Sequence, residues 1–171
     1  KPGKEGTVYK TIVRKRFTST VMGSTVRVKR GAWLAVKYFK PKKSFARIRR
    51  EARFQQRAAN VDVAPVVFGV HEDPKCIVME CGDALLVDIY RGETLPDSLQ
   101  IDILALMERL DDARVLHNDG NARNLVLRNH KPWLIDYGFA KELKRGKSNM
   151  NITLWALVRS LKRYRIKAPL L

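Results

Sequence analysis

Three polar positions in the second half of the chain constrain its fold more than any other feature. Asp119 and Asn124 stand close together, and Asp136 follows two short apolar segments. Those segments, 125–127 and 133–135, predict two strands joined by a tight turn. Such a hairpin would bring Asn124 and Asp136 side by side at its open end. Amide and carboxylate oxygens are ligands for divalent cations, and a further carboxylate can accept a proton from a hydroxyl. The spacing therefore predicts a site where metal ions and a reacting hydroxyl meet.

A lysine and a glutamate in the first third of the chain extend this pattern. Lys37 ends an apolar segment that predicts a strand. Glu51 is the only acidic residue of a helix predicted over 45–59, with Ser44 as its N-cap. A solvated strand end and a lone carboxylate among arginines are the simpler interpretations. The alternative is that Lys37 and Glu51 pair with each other, as opposite charges on a strand and on the helix that follows it can.

The first forty residues predict antiparallel strands. Residues 8–13 and 25–38 alternate enough to form a long hairpin, joined by a polar loop over 17–24. Gly3 and Gly6 precede the first of these strands. Their spacing is typical of a loop that covers nucleotide phosphates, but it matches an ordinary turn equally well.

The order of these motifs resembles the protein kinase superfamily, from the glycines through H-x-D-x-x-x-x-N to D-Y-G. Tyr137 in place of the usual Phe, together with the stretch 51–59, is similar to the vaccinia-related kinases near the casein kinase 1 branch. The resemblance implies an α+β, bilobal protein kinase-like fold. Residues 1–81 would form an antiparallel-sheet N-lobe, and residues 82–171 a reduced, mostly helical C-lobe.

The same resemblance implies a role for each candidate residue. Asp119 would be the catalytic base, and Lys37, held by Glu51, would contact the phosphates of ATP. Asn124 and Asp136 would hold Mg²⁺ or Mn²⁺. Met79 would be the gatekeeper beside the adenine, and its neighbours would offer backbone groups to the adenine edge. The residues that would line the ATP site are Gly3, Gly6, Val8, Lys37, Met79, Glu80 and Cys81.

Departures from the kinase pattern leave the function open. Asn118 replaces the Arg of H-R-D, and Asn121 replaces a lysine that supports the γ-phosphate. No A-P-E motif follows Asp136, and one predicted helix over 151–165 stands where the platform for a peptide substrate would be. We expect an ATP-dependent protein kinase of minimal form, with Ser or Thr favoured over Tyr as the acceptor. A small-molecule phosphotransferase and a nucleotide-binding pseudokinase or scaffold are the alternatives. Such economy would suit the genome of a large DNA virus.

The charge of the chain predicts partners of opposite sign. Its 171 residues include 34 Lys and Arg against 17 Asp and Glu, a net charge of +17. Acidic protein substrates, nucleic acid and anionic membrane surfaces are candidates, beside a merely solvated basic face. The oligomeric state is open.

The sequence has no long apolar run or secretory signal. We therefore expect an intracellular protein, cytoplasmic or nuclear, with Cys76 and Cys81 as reduced thiols.

Overall fold

The computed structural model describes residues 6–171, apart from the side chain of Ser24. Gly3, one of the predicted phosphate-loop residues, lies outside the described residues. The described chain has the predicted α+β class, with antiparallel sheets and four α-helices. In chain order the elements are β1 (Gly6–Ile12), β2 (Phe17–Val21), β3 (Ser24–Val28), β4 (Trp33–Phe39), α1 (Phe45–Ala59), β5 (Val67–His71), β6 (Cys76–Glu80), β7 (Ala84–Leu85), α2 (Leu86–Ile89), α3 (Asp97–Asp112), β8 (Val115–Leu116), β9 (Leu125–Arg128), β10 (Lys131–Leu134), β11 (Lys141–Glu142) and α4 (Trp155–Arg163).

The largest sheet has the strand order β1-β4-β6-β5, with all neighbours antiparallel. Gly6 begins β1 at a point where the backbone of β4 comes very close. A Cβ at this position would lie 2.0 Å from the carbonyl oxygen of Tyr38. No side chain fits there, so glycine is required for β1 to pair with β4 along its whole length.

The long hairpin predicted over the first forty residues is wrong in its pairing. Residues 17–21, predicted as a loop, form β2 and pair with β3, while β1 pairs with β4 instead. Met22 and Gly23 form the turn, both with positive φ, of 53° and 82°. Two such residues make the tight turn that suits a right-twisted hairpin. A second turn at 29–32 separates β3 from β4, with Gly31 at φ 86°.

Hydrophobic side chains cover both faces of the largest sheet. On one face, Ala35 and Ile77 pack with Ile48 and Ala52 of α1. On the other face, Leu34 and residues of the neighbouring strands pack under the β2–β3 hairpin; the buried members of this cluster are Val13, Val28, Leu34 and Phe68. The sheet is thus a middle layer between a helix and a hairpin, and strands covered on both sides carry apolar residues at nearly every position.

The largest hydrophobic cluster lies in the second half of the chain. Leu99, Ile103 and Leu106 of α3 join Leu157 and Leu161 of α4 in it. Helix α3 begins at Asp97, and its buried apolar residues recur at spacings of three and four. The terminal helix predicted over 151–165 is instead a π-helical turn, Met150–Leu154, continued by α4.

The β9–β10 hairpin confirms the prediction made from its two apolar segments. Asn129 and His130, both with positive φ, form its two-residue turn.

Cys76 and Cys81 are buried free thiols. Among residues 6–171, no helix combines the length and the apolar character that crossing a bilayer requires.

Candidate active site

Lys37 lies between two carboxylates that come from distant parts of the chain. Its Nζ is 2.6 Å from Oε1 of Glu51 and 2.7 Å from Oδ1 of Asp136. Glu51, which is 2% exposed, also accepts from Lys43 Nζ at 2.8 Å. Strand β4 and helix α1 therefore hold the lysine–glutamate pair predicted from the sequence. Lys43 was not predicted, although it stands only six residues after Lys37.

The charges of this cluster stabilise one another. Burial alone would lower the pKa of Lys37, but the Glu51 and Asp136 carboxylates outweigh burial and raise that pKa. Burial alone would raise the pKa of Asp136, and the Lys37 ammonium reverses this and lowers it. Lys37 and Asp136 are therefore both charged near neutral pH, which is the state that binding of phosphate and metal requires.

Asp119 and Asn124 are joined directly. The Asn124 side-chain nitrogen donates to Oδ2 of Asp119 at 3.0 Å and to its backbone carbonyl at 3.3 Å. A 3₁₀ turn over 122–124 makes this possible, and Asn121 caps it by accepting from the backbone N–H of Arg123 at 3.0 Å. Asn121 therefore has a structural role where the kinase pattern has a lysine, and the Arg123 side chain is exposed.

The β9–β10 hairpin brings the two predicted metal ligands near each other. Beyond the last paired residues, the N–H of Ile135 donates to the carbonyl of Asn124 at 2.9 Å. Asp136 is the next residue and has a left-handed backbone, with φ 66° and ψ 70°. This conformation is less favourable than the right-handed one for a residue with a Cβ, although Asp adopts it more readily than most residues do. Here it accompanies the ion pair between Asp136 and Lys37.

The loop that carries Asp119 rests on the C-terminal helix, a support that the sequence did not predict. A Cβ added to Gly120 would lie 2.1 Å from the carbonyl of Thr153 and 2.6 Å from the N–H of Leu157. The backbone N–H of Ala122 donates to Ser160 Oγ at 3.0 Å. These contacts fix the loop to α4 and to the turn before it.

A buried asparagine connects the same loop to the end of α3. Asn149, which is fully buried, accepts from the N–H of His117 at 3.1 Å and donates to Asp111 Oδ1 at 2.6 Å and to the carbonyl of Val115 at 2.7 Å. It also accepts from the Thr153 hydroxyl at 2.8 Å. Contacts between residues more than thirty positions apart leave no local signal in a sequence.

His117 and Tyr137, which stand two residues before Asp119 and one residue after Asp136, are both buried. The His117 Nε2 lies 3.0 Å from the carbonyl oxygen of Ile135, and the two aromatic rings meet edge to face at 4.7 Å. Burial lowers the pKa of His117, and burial raises the pKa of Tyr137. The Tyr137 hydroxyl has no hydrogen-bond partner within the described residues. The tyrosine that replaces the usual Phe thus adds an unsatisfied polar group.

The predicted adenine-site residues lie on β1, on β4 and at or just after the end of β6. Val8 pairs with Lys37 across β1 and β4 and is 56% exposed, so an apolar surface faces the side on which Lys37 lies. Met79, in β6, is buried and accepts from Gln55. The backbone N–H of Glu80 is bonded to Val66, so Glu80 could offer only its carbonyl to a ligand.

Lys10, on β1, is a further residue near these positions, and it was not predicted from the sequence. Its Nζ donates to the carbonyl of Gly82 at 3.3 Å and to that of Asp83 at 3.2 Å. It thus joins β1 to the segment that follows Cys81, a buried thiol.

Asn124 and Asp136 have the chemistry of a magnesium site. Within residues 6–171, no group of three or more His, Cys, Asp or Glu side chains is placed to hold a metal ion. Mg²⁺ bound with a nucleotide does not need such a group, because phosphates and waters complete its coordination. The Asn124 nitrogen is used by Asp119, which leaves its amide oxygen for a cation. Asp136 has a second oxygen beside the one that Lys37 contacts. The residues present therefore fit this metal.

A comparison with curated proteins points to the same chemistry. A segment of 53 residues is 42% identical to the 3-deoxy-D-manno-octulosonic acid kinase of Photobacterium damsela subsp. piscicida. The match covers 30% of this chain and 22% of that enzyme. No protein-family model matches the chain. This partial similarity to a kinase supports a kinase-like phosphotransferase superfamily and gives no support to the vaccinia-related kinase or casein kinase 1 branch.

Proposed function

We propose that this protein is a phosphotransferase that uses Mg²⁺ and ATP to phosphorylate a hydroxyl of a small molecule. The observation that carries the proposal is the position of Lys37 Nζ, within 2.7 Å of both Glu51 and Asp136. A buried lysine between two carboxylates, one of them beside an amide ligand, is suited to binding a metal nucleotide. The directly joined Asp119 and Asn124 supply a proton acceptor next to it.

The fold supports a division into two lobes around this site. Residues 1–81 would be the N-lobe, which brings Lys37 and Glu51, and residues 82–171 would be the C-lobe, which brings Asp119 and Asp136. The hydrophobic clusters favour this division in part, since the sheet and the first half of α1 have cores of their own. Phe54 and Ala58, in the second half of α1, belong to the cluster of α3 and α4. ATP would lie between the lobes, against Val8 and Met79.

The reaction would rely on positioning and charge. ATP supplies the phosphoryl group. Asn124 and Asp136 would hold Mg²⁺, which would supply positive charge to neutralise the developing negative charge. Lys37 fixes the phosphates. Asp119 orients the acceptor hydroxyl and takes its proton as the acceptor oxygen bonds to the γ-phosphorus. The bond from that phosphorus to the bridging oxygen breaks, and ADP leaves with the electron pair. Asn124 keeps the Asp119 carboxylate in place.

The acceptor distinguishes this proposal from the function favoured by the sequence alone. The motifs favoured a protein hydroxyl, whereas the relative's name designates a sugar acid as the molecule its enzyme phosphorylates. That partial similarity supports the alternative drawn from the sequence, a small-molecule phosphotransferase. We therefore infer a sugar or sugar-acid hydroxyl as the acceptor class.

A radiolabelled ATP assay with two acceptor panels tests the proposal. One panel holds sugars and sugar acids, and the other holds acidic, basic and neutral proteins. We expect transfer to at least one member of the first panel, reduced at least a hundredfold in Asp119→Asn and in Asp136→Asn. Asp112→Asn, which changes an exposed carboxylate at the end of α3, is the matched control and keeps full activity. Transfer to proteins alone would establish a protein kinase, and nucleotide binding without turnover on either panel would establish a pseudokinase.

A further inference from the structure

The β2–β3 hairpin and the turns beside it enclose a strongly basic cavity. Its volume is about 930 Å³, and six of its nine lining residues are Lys or Arg, with no Asp or Glu. The six cations are Arg14, Lys15, Arg16, Arg27, Lys29 and Arg30. All six are exposed. In the part of the chain that the structure describes, no ion pair engages any of them. Uncompensated positive charges crowded into one concave surface favour an anionic ligand.

A second cavity continues the first. It has a volume of about 740 Å³ and shares Arg27, Val28 and Lys29 with the basic cavity. Lys10 and Arg128 add two further cations. The acids on its wall are Glu80 and Asp83, and both are paired with Arg128, at 3.4 Å and 3.0 Å. We call the two adjacent cavities the hairpin groove.

Exposed aromatic rings stand in both parts of the groove. Phe17 lines the basic cavity and is 39% exposed, and Trp33 lines the second cavity and is 58% exposed. Exposed aromatic rings beside clustered cations can serve as stacking platforms for bases. Proteins bind single-stranded nucleic acids with cations and exposed aromatic rings placed side by side. The phosphates of the nucleic acid pair with the cations, and its bases stack on the rings.

We propose that the hairpin groove binds single-stranded nucleic acid. Its cations contact phosphates, and Phe17 and Trp33 stack against bases. The carboxylates of an acidic peptide would pair with the cations equally well. They would not stack on the two rings as nucleic-acid bases do. A duplex hides the faces of its bases, so single strands are favoured. The second cavity reaches Lys10, Glu80 and Cys81 beside the candidate active site. The inference does not depend on the proposed phosphotransfer, because the six cations of the basic cavity and the two rings are not residues of that site.

Charge reversal tests the electrostatic part of the proposal. Binding of labelled 12-nucleotide oligo(dT) and oligo(U) is measured by fluorescence anisotropy from 50 to 300 mM salt, without ATP. The variant Arg14→Glu, Arg16→Glu, Lys29→Glu is expected to bind about a hundredfold more weakly near 0.1 M salt. The slope of log K against log salt is expected to shrink by about 2, since each phosphate contact contributes about 0.7.

A matched control separates the groove from the overall charge. The variant Arg47→Glu, Arg49→Glu, Arg53→Glu changes the net charge equally on the exposed side of α1, which packs on the opposite face of the sheet. We expect its affinity to stay within about threefold of the unaltered protein. An equal loss of affinity in both triple variants would mean that binding follows the net charge of +17, and the groove would not be the site.

Stacking is tested by removing the rings. Phe17→Ala and Trp33→Ala are each expected to weaken oligo(dT) binding about tenfold. Neither should change binding of inorganic polyphosphate, which has charge and no bases. Trp155→Ala removes another exposed ring, 60% exposed on α4, and serves as the control with unchanged affinity. Circular dichroism verifies that each variant is folded. The proposal is overturned if poly-glutamate displaces the oligonucleotide at equal charge concentration and the ring variants leave the affinity unchanged. The groove would then be a site for acidic peptides.

Discussion

Lys37 Nζ lies 2.7 Å from Oδ1 of Asp136, so the residue that would bind phosphate is paired with the residue that would bind metal. The pair spans 99 positions of the chain. A cation entering the site must compete with the ammonium for this carboxylate. Lys37 would therefore turn to phosphate only as the metal takes Asp136, which couples binding of the two halves of a metal nucleotide.

Replacing Lys37 should raise the affinity for metal while it abolishes phosphoryl transfer. In Lys37→Ala, the Asp136 carboxylate no longer has its nearest cation, and we expect Mn²⁺ to bind about tenfold more tightly without nucleotide. Electron paramagnetic resonance of free Mn²⁺ measures this affinity. Phosphoryl transfer should be lost in the same variant. Lys162→Ala, an exposed lysine of α4, should change neither quantity. Weaker Mn²⁺ binding in Lys37→Ala would contradict a metal site at Asp136.

Glu51 should contribute more to stability than an exposed acid does. It is 2% exposed and contacts two lysines, so Glu51→Ala removes the buried carboxylate that both ammonium groups share. We expect the free energy of unfolding to fall by about 3 kcal/mol. Glu142, whose side chain is 66% exposed, pairs with Arg57 at the surface. Glu142→Ala should cost less than about 1 kcal/mol. Urea denaturation of both variants compares the two costs, and similar values would argue against a buried charge cluster.

Gly120 should tolerate no side chain. Its Cβ position is 2.1 Å from the carbonyl of Thr153, and both groups belong to fixed backbone. We expect Gly120→Ala to lower the free energy of unfolding by about 3 kcal/mol or more and to displace the loop of Asp119 from α4. Gly146 has φ 74° and open space around it, so Gly146→Ala should cost only about 1 kcal/mol of backbone strain. Urea denaturation is the measurement. An equal cost at both positions would mean that the loop moves freely away from the helix.

The parts of the site that the sequence predicted are those with strong local signals. Helix α1 has the predicted bounds because residues 45–59 include no glycine or proline, and the β9–β10 hairpin follows two apolar segments and a short polar turn. The β2–β3 hairpin was missed because its two central turn residues, Met22 and Gly23, are not a common turn pair. The role of Asn149 was not predictable, since its partners lie on elements that only tertiary packing brings together.

His117 should make the protein less stable in mild acid. Burial lowers its pKa in the folded protein, and its Nδ1 has no partner within the described residues. Below pH 6.5, the unfolded chain binds a proton at this histidine more readily than the folded chain does. Stability should therefore fall as the pH drops through 6.5, by up to about 1.4 kcal/mol per unit. Urea denaturation at pH 7.5 and 5.5 measures the loss.

Two histidine variants assign that pH dependence. His117→Gln should remove most of the difference between the two pH values, because the titrating group is gone. His130→Gln changes an exposed histidine in the β9–β10 turn and should keep the difference. Retention of the full difference in His117→Gln would place the responsible group elsewhere.

Tyr137 should be more stable as phenylalanine. Its side chain is 1% exposed, and its hydroxyl has no partner among residues 6–171. A buried hydroxyl without a hydrogen bond costs about 1 to 3 kcal/mol, and Tyr137→Phe removes it while keeping the ring against His117. We expect the free energy of unfolding to rise by about 1 kcal/mol, read as a higher melting temperature. Tyr164→Phe, which changes a half-buried ring at the end of α4, should leave stability unchanged. A loss of stability in Tyr137→Phe would mean that the hydroxyl has a bound partner, and because this ring follows Asp136, phosphoryl transfer should then fall with it.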